Sequence, residues 1–503
     1  MEYNLKEEIV KKSVKPGFFA HWKVVLRSLY LLAVSLALVI VAMALPARPG
    51  QGATFDKPRV VVMTDISNWW EPDDQESLVR LLLYTNEIEV EGIISSTSYW
   101  RKKHPNLKAI TEIIDAYGKV RGNLAKHAPG FPEAEYLKNK VRLGSTGYGM
   151  KNVGEGKDTD GSDFIISILE KEDPRPVWFL AWGGSNTLAQ SLWKISRTRS
   201  PAETELLIRK VRVYEIAGQD DAGAWICHNY PDLFFIRSVE QWSQFAGSSP
   251  WFKLYHPAGL QGDKSVAGAA WFRKNIITGH GPLGARYPRA NFIFEGDTPS
   301  FLYLVANGLG DPERPHYGGW GGRFGEEKVK NPVPTRTPLK EYGYFDYWMY
   351  ADASDQWSYG GKSYYDKFAP LTRWRTDYQN DFAARMDWTV KDYSQANHRP
   401  IAVVNGDESL DVLYYKVIVG KDVTLDASAS RDPDGDGLSF FWWVYPEPGG
   451  KPTGVRIQNA RNPVAVVTLP PQGKSSQVHI ILEVRDNGFP SLVSYRRIVM
   501  AEE

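Results

Sequence analysis

The chain has 503 residues, long enough for two or three domains, and its 60 basic and 59 acidic residues leave a net charge of +1. That balance gives no electrostatic case for a nucleic-acid partner. The single cysteine, Cys227, excludes an internal disulfide, while 13% aromatic residues, 18 of them Trp, supply large cores and rings able to stack on sugar faces.

Lys11, Lys12, Lys15, Lys23 and Arg27 precede an apolar run with no charge from Ser28 to Ala47, and small residues follow at Ala42-Met43-Ala44 and Pro46-Ala47. This is the pattern of a secretory signal peptide with a long n-region. The run is also long enough to serve as an uncleaved membrane anchor. Either way the remainder is expected to work outside the cytoplasmic membrane, in an extracellular or periplasmic setting. Residues 1–54 are set aside from the fold.

From Lys57 to about Gly218, short apolar runs alternate with helical periodicity. Strands are predicted at Arg59–Met63, Val90–Ser95, Val177–Ala181 and Val211–Ile216. Helices are predicted at Gln75–Thr85, Leu107–Tyr117, Asp163–Lys171 and Thr187–Ile195. Strands alternating with helices imply βαβ units, hence an α/β fold with a mostly parallel sheet. Residues 219–350 are less regular and rich in Gly, Trp and Tyr, with a helix predicted at Phe301–Asn307. A further helix is expected around Asp377–Tyr393. After Asn397-His398-Arg399-Pro400 the pattern changes to short β-type runs between turns: Lys416–Val419, Val423–Asp426, Leu438–Val444, Val464–Thr468, Val478–Val484 and Ser494–Met500. That spacing describes a small all-β sandwich over 397–503. Trp442 and Trp443 are neighbours on one strand, so one indole should enter the sandwich core and the other should face outward.

Three junctions carry chemistry. The strand at Arg59–Met63 runs into Asp65, then a turn containing Trp69-Trp70, then Asp73-Asp74 at the start of a helix. Carboxylates gathered at a strand end repel one another unless a cation sits among them, and a hard divalent ion with oxygen ligands answers that need. The second junction is Trp182-Gly183-Gly184-Ser185-Asn186, where glycines permit close backbone approach. The third is Asp297 before Thr298-Pro299, a helix start with Pro in its first turn. Asp432-Pro433-Asp434-Gly435-Asp436-Gly437 has acids at alternate positions like a calcium loop, but within a sandwich it reads as an acidic turn. Gln219-Asp220-Asp221 and Cys227-His228-Asn229 follow the fourth strand, and His316 precedes Tyr317-Gly318-Gly319-Trp320.

The three junctions together resemble the calcium-dependent nucleoside hydrolases. The resemblance implies that Asp65 binds Ca²⁺ and takes the proton of the attacking water. It implies further that Asp74, Asp297 and the Trp182 backbone carbonyl complete the metal site, and that Asp73 binds substrate. Met63, Gly296 and Tyr99-Trp100 stand where that family has an acid, a His and an Asn, so the residues that read a nucleoside are replaced. A closer similarity runs through Tyr148-Gly149-Met150, Gly154-Glu155-Gly156-Lys157-Asp158, Glu295-Gly296-Asp297-Thr298-Pro299-Ser300-Phe301 and Tyr317-Gly318-Gly319-Trp320-Gly321-Gly322-Arg323. It continues in Val423-Thr424-Leu425-Asp426-Ala427-Ser428, Asp432 to Asp436 and Phe441-Trp442-Trp443. Over residues 57–503 the chain resembles bacterial secreted cellulose-binding proteins that join a nucleoside hydrolase-like domain to an immunoglobulin-like tail.

The expected function is hydrolysis of a glycosidic bond in a polysaccharide or oligosaccharide. Asp73 and Asn186 would hold sugar hydroxyls. Trp69, Trp70, Tyr99 and Trp100 would form the sugar-facing wall, and His228 and His316 would also line the cleft. Asp220, Asp221 and His228 are candidates for protonating the leaving group. Two other readings stay open: a carbohydrate-binding protein without turnover, and a periplasmic nucleosidase.

Overall fold

The computed structural model describes residues 57–67, 72–103, 105–246, 259–288, 295–329, 346–471 and 477–503. The expected leader and the Trp69-Trp70 pair lie outside the described residues. Among those described, no helix is long and apolar enough to cross a membrane.

The first strand, β1 (Arg59–Thr64), is buried along its whole length. Val60 and Val62 enter one core and Val61 and Met63 another, as the two-residue period of a strand covered on both faces requires. It is joined by β2 (Glu89–Ser95), β3 (Val141–Leu143), β4 (Val177–Ala181), β5 (Val211–Ile216), β6 (Phe234–Ser238), β7 (Phe324–Val329) and β8 (Tyr347–Asp352). The sheet order is β3-β2-β1-β4-β5-β6-β8-β7, parallel throughout except that β7 runs antiparallel to β8. From β1 the chain winds outward one way through β2 and β3, then returns to β4 and winds the other way. The crevice at the carboxyl ends of β1 and β4 is therefore the topological switch point, where open α/β sheets place their ligands.

The helices that matter for the crevice are α1 (Pro72–Leu82), α2 (Leu107–His127), α3 (Asp160–Leu169), α4 (Asn186–Thr198), α5 (Pro201–Ile208), α6 (Ala222–Asn229), α7 (Thr298–Leu302) and α8 (Arg375–Asp387). Two departures from expectation are informative. α7 stops at Leu302, earlier than the predicted Asn307, and α8 stops at Asp387, with a separate 3-10 turn at Tyr393–Gln395. Strands β3, β6, β7 and β8 lie outside the predicted set: β7, Phe-Gly-Glu-Glu-Lys-Val, carries little strand signal, β3 is only three residues long, and β6 and β8, though rich in aromatic β-formers, fall in the stretch that reads as irregular.

A hairpin of β9 (Asp355–Tyr359) and β10 (Lys362–Asp366) follows the large sheet. The tail then forms β11 (Leu413–Val417), β12 (Asp422–Asp426), β13 (Ser439–Tyr445), β14 (Arg456–Gln458), β15 (Val464–Thr468), β16 (Gln477–Arg485) and β17 (Val493–Glu502). These make a four-stranded sheet, β11-β17-β16-β13, and a three-stranded sheet, β12-β15-β14. Trp442 is 1% exposed in the core between them, with its indole N–H donating to the Asn462 carbonyl at 3.0 Å. Trp443 points the other way, and its ring centre lies 6.0 Å from that of Trp374 in the α/β portion. Tyr445, Ile481, Val493 and Tyr495 join the same outer layer and belong to the core that covers one face of the large sheet. The sandwich is thus not a detached module, because one of its sheet faces closes the α/β core.

Candidate active site

The site is assembled by α1 and by the ends of β1, β2, β4 and β5. Asp65, the first residue beyond β1, is 2% exposed, and the Ser98 hydroxyl donates to its Oδ2 at 2.5 Å. Ser98 follows β2, and its own oxygen accepts the backbone N–H groups of Trp100 and Arg101 at 3.0 Å, which fixes its direction. Thr64, the last residue of β1, donates its hydroxyl to Asp74 Oδ1. Asp73 and Asp74 occupy the first turn of α1, where the helix N-terminus favours negative charge.

The same helix also holds the third junction. Glu76, Ser77 and Arg80 stand three to seven positions beyond Asp73, on the face that turns towards Asp297. Arg80 pairs with Glu295 at 2.9 Å, with both side chains fully buried. The Glu295 N–H donates to Glu76 at 3.1 Å, and Thr298 donates to Ser77 at 3.1 Å. These bonds hold the turn Glu295-Gly296-Asp297, in which Glu295 has a φ of 42°. As a result Asp73, Asp74 and Asp297 each bring a carboxylate oxygen within 4.8 Å of the others.

That separation suits one divalent cation, since oxygens each about 2.3–2.6 Å from the same ion lie at most about 5 Å apart. The donor set is hard and all-oxygen, as calcium requires. The trio differs from the expected one, because Asp73 stands in it with Asp74 and Asp297 while Asp65 adjoins it. The reason is local: two successive residues in the first turn of one helix stay together, whereas Asp65 is held by Ser98. The Trp182 carbonyl accepts the Gln219 side-chain amide, and the indole of Trp182 is buried, donating to Ser300 at 2.8 Å.

Burial pushes Asp65 up to about 7, with the charge of Asp73 adding to the shift while Ser98 and Arg101 oppose it. Asp74 is raised well above the ordinary carboxylate range by burial and by the charges of Asp65 and Asp73. Asp220, after β5, is raised to about 7 by burial and by Asp221 and Glu215. Its Oδ2 accepts the Asn186 N–H at 3.1 Å and its Oδ1 the Ala222 N–H at 2.9 Å.

The two glycines of the second junction are there for space. A Cβ on Gly183 would lie 2.8 Å from Asp65 Oδ1. A Cβ on Gly184 would collide with Asp220 and lie 2.8 Å from the Thr97 carbonyl. Gly184→Ala is expected to destabilise the protein by about 1–3 kcal/mol through this overpacking, to be read from urea unfolding. A midpoint unchanged from the parent would contradict the packing.

Asn186 is fully buried at the start of α4 and donates to the Gly147 carbonyl at 2.7 Å. Tyr99 is half-buried and Trp100 is 52% exposed, with their rings edge to face at 5.0 Å just beyond Ser98. Asp221 accepts the Met150 N–H at 2.7 Å. Two expected residues are not brought to the acids, and the structure corrects their placement. His228 is exposed in the last turn of α6, carried away by the helix that begins at the crevice. His316 lies edge-on to Tyr317, whose ring meets His479 of the sandwich, so it belongs to the junction of the two parts.

Besides Glu76, Ser77 and Arg80, four contributors among the described residues are absent from the sequence expectations. Thr64 and Ser98 orient the acids, Arg101 supplies opposing charge, and Trp242 lies against the Asp297 turn, 2.9 Å from where a Cβ on Gly296 would stand. Only Ser98 left a trace, in the hydroxyl run Ser95-Ser96-Thr97-Ser98 at a strand end. A second acidic group, Asp432, Asp434 and Asp436, lies in the sandwich. Asp432 accepts the N–H groups of Asp434 and Asp436, and Asp434 accepts the backbone N–H and ring nitrogen of His398. These bonds leave Asp432 Oδ2 buried with no hydrogen bond among the described residues.

Comparison with known proteins gives two family matches. Residues 59–324 match the model described as "Cellulose-binding Sde182, nucleoside hydrolase-like domain". Residues 422–501 match "Cellulose-binding protein Sde0182, C-terminal domain". Among solved structures, a nucleoside hydrolase-related protein from Saccharophagus degradans, described as associated with carbohydrate metabolism, is 40% identical with a TM-score of 0.76, over 89% of this chain and 100% of that one. The PKD domain from KIAA 1837 protein is 27% identical over 18% of this chain and 81% of that one, and its TM-score of 0.15 supports no argument. No curated protein matches.

Proposed function

From the premise that the chain belongs to the cellulose-binding family with a nucleoside hydrolase-like domain, we propose that it binds a polysaccharide or oligosaccharide chain in the acid crevice and hydrolyses a glycosidic bond there. The observation that carries this reading is the placement of Asp65: a buried carboxylate at a strand end, held by Ser98 and near enough to Asp73 and Asp74 to feel their charge, where Asp73, Asp74 and Asp297 bring carboxylate oxygens within 4.8 Å of one another. A carboxylate positioned beside a bound water can take a proton from it. Ser98 donates to one oxygen of Asp65 and fixes the direction of the carboxylate.

While the Trp182 carbonyl implied by the resemblance is taken by the Gln219 amide, Asp73, Asp74 and Asp297 would hold a calcium ion. When bound, that ion offsets their mutual repulsion and supplies the Lewis acidity that eases deprotonation of water. Tyr99, Trp100 and Trp242 offer ring surface for a sugar face, and Asn186 and Asp73 offer hydrogen bonds to its hydroxyls. Asp220, raised to about 7, can carry a proton for the leaving oxygen. The reading includes export, supported by the basic start and the uncharged run to Ala47.

Carbohydrate binding without turnover is a second reading, favoured by the family's description as cellulose-binding. Incubating the calcium-supplemented protein with cellohexaose, swollen cellulose, inosine and uridine decides among them. New reducing ends from the glycans are expected. Retention on cellulose without new ends would leave the binding reading, and release of free base would point to a nucleosidase. Asp74→Ala is expected to weaken calcium binding about tenfold or more, measured by calorimetry, with part of the lost activity restored by excess calcium. Undiminished calcium affinity in that variant would remove Asp74 from the metal site.

A further inference from the structure

Resting on the carbohydrate reading, we propose that Gln219, with Asn186 and Tyr148, forms a wall that recognises hydroxyl groups of a neutral sugar. Gln219 is 8% exposed and Asn186 is fully buried. Each amide has its nitrogen committed to the main chain: Gln219 Nε2 donates to the Trp182 carbonyl, and Asn186 Nδ2 to the Gly147 carbonyl. Flipping either amide would set one carbonyl oxygen against another, so the orientation is decided by the bonds. The two remaining atoms, Gln219 Oε1 and Asn186 Oδ1, are buried acceptors with no hydrogen bond among the described residues, and the Tyr148 hydroxyl is in the same condition. Buried polar groups are rarely left so, because each costs free energy until a donor meets it.

These atoms belong to one region. Gln219 reaches the Trp182 carbonyl on one side of the Gly183-Gly184 turn. Asn186 lies on the other side, its N–H on Asp220, the residue after Gln219. The Tyr148 hydroxyl is close enough to Asp220, Asp221 and Tyr99 to be raised by burial and by their charges. Gln219 Oε1 and Asn186 Oδ1 can only accept, so the wall asks for a ligand that donates, while Lys102 lies 5.2 Å over the Tyr148 ring at its edge. Such acceptors take the donors of a neutral polyol, and the two fixed ones stand either side of one turn. A purely structural Gln219 would cap the Trp182 carbonyl and would be indifferent to which hydroxyls a ligand carries.

The test is a binding cycle with cellobiose and its monodeoxy analogues, using calcium-loaded protein and calorimetry. For at least one deoxy position the parent should lose about three- to tenfold in affinity, the scale of one neutral hydrogen bond. Gln219→Met should bind cellobiose more weakly by a similar factor and lose nothing further at that same position. If Gln219→Met does not fold, judged by its melting curve, Tyr148→Phe is put through the same cycle with the same expectation. A variant that keeps every deoxy penalty of the parent overturns this inference and leaves the carbohydrate reading standing. A parent that binds no cellobioside overturns both.

Discussion

Asp65→Asn is expected to lower glycan turnover roughly 10²–10⁴-fold, the usual scale for loss of a general base. The substitution keeps the shape of the side chain and an oxygen that can accept from Ser98, so the crevice geometry should survive. Stability should hold or rise, because a charge that burial disfavours has been removed. The sign follows from the proton balance. Between the ordinary value of 3.8 and about 7, native Asp65 binds more protons than the unfolded chain. In calcium-free protein its contribution to stability therefore declines as pH rises through that window. Asp65→Asn should flatten that decline while abolishing activity, read from melting temperatures between pH 4 and 8 and from reducing-end release. Full turnover by the variant would rule out Asp65 as the base.

Arg80→Met should destabilise the fold by about 3–5 kcal/mol, the range found when one partner of a buried ion pair is removed. Both Arg80 and Glu295 are fully buried, and the guanidinium also lies 3.8 Å over the Phe382 ring and donates to Gln379. Methionine replaces the stem but leaves the Glu295 carboxylate without its cation. Burial already lifts Glu295 to about 7 against the pull of Arg80. Without Arg80 it rises further and stays protonated over more of the neutral range. The penalty should therefore be smaller at pH 5, where Glu295 is neutral, and larger at pH 8, where folding must bury the charge or bind a proton. Because Glu295 fixes the turn that presents Asp297, calcium affinity should fall as well. Urea denaturation at both pH values and calcium calorimetry check these outcomes. Equal losses at pH 5 and pH 8 would mean that packing, and not charge, is what Arg80 contributes.

Much of the crevice was legible along the chain. Val60 to Met63 and Val177 to Ala181 are apolar runs ended by an acid or a Gly-Gly turn, which is how buried parallel strands and their exits appear in any α/β sheet. Asp65, Asp73-Asp74, Gly183-Gly184 and Asp297 could be named because each sits at such an exit, and the opposed directions of Trp442 and Trp443 follow from strand geometry. Local chemistry suffices for all of these, since strand period, helix start and glycine space act within a few residues.

Only the tertiary structure decided which of these groups meet. Asp73 replaces Asp65 in the carboxylate trio, Ser98 crosses from β2 to hold Asp65, and Arg80 reaches a glutamate more than two hundred positions away to hold the Asp297 turn. The Gln219 amide arrives at the Trp182 carbonyl because β5 lies beside β4, while α6 carries His228 off and the sandwich claims the neighbourhood of His316. Hydrophobic periodicity reports whether a residue is buried, not beside what. Partners of buried polar groups are set by strand order and by the desolvation cost of leaving any of them unmatched, and both come into being only when distant segments pack.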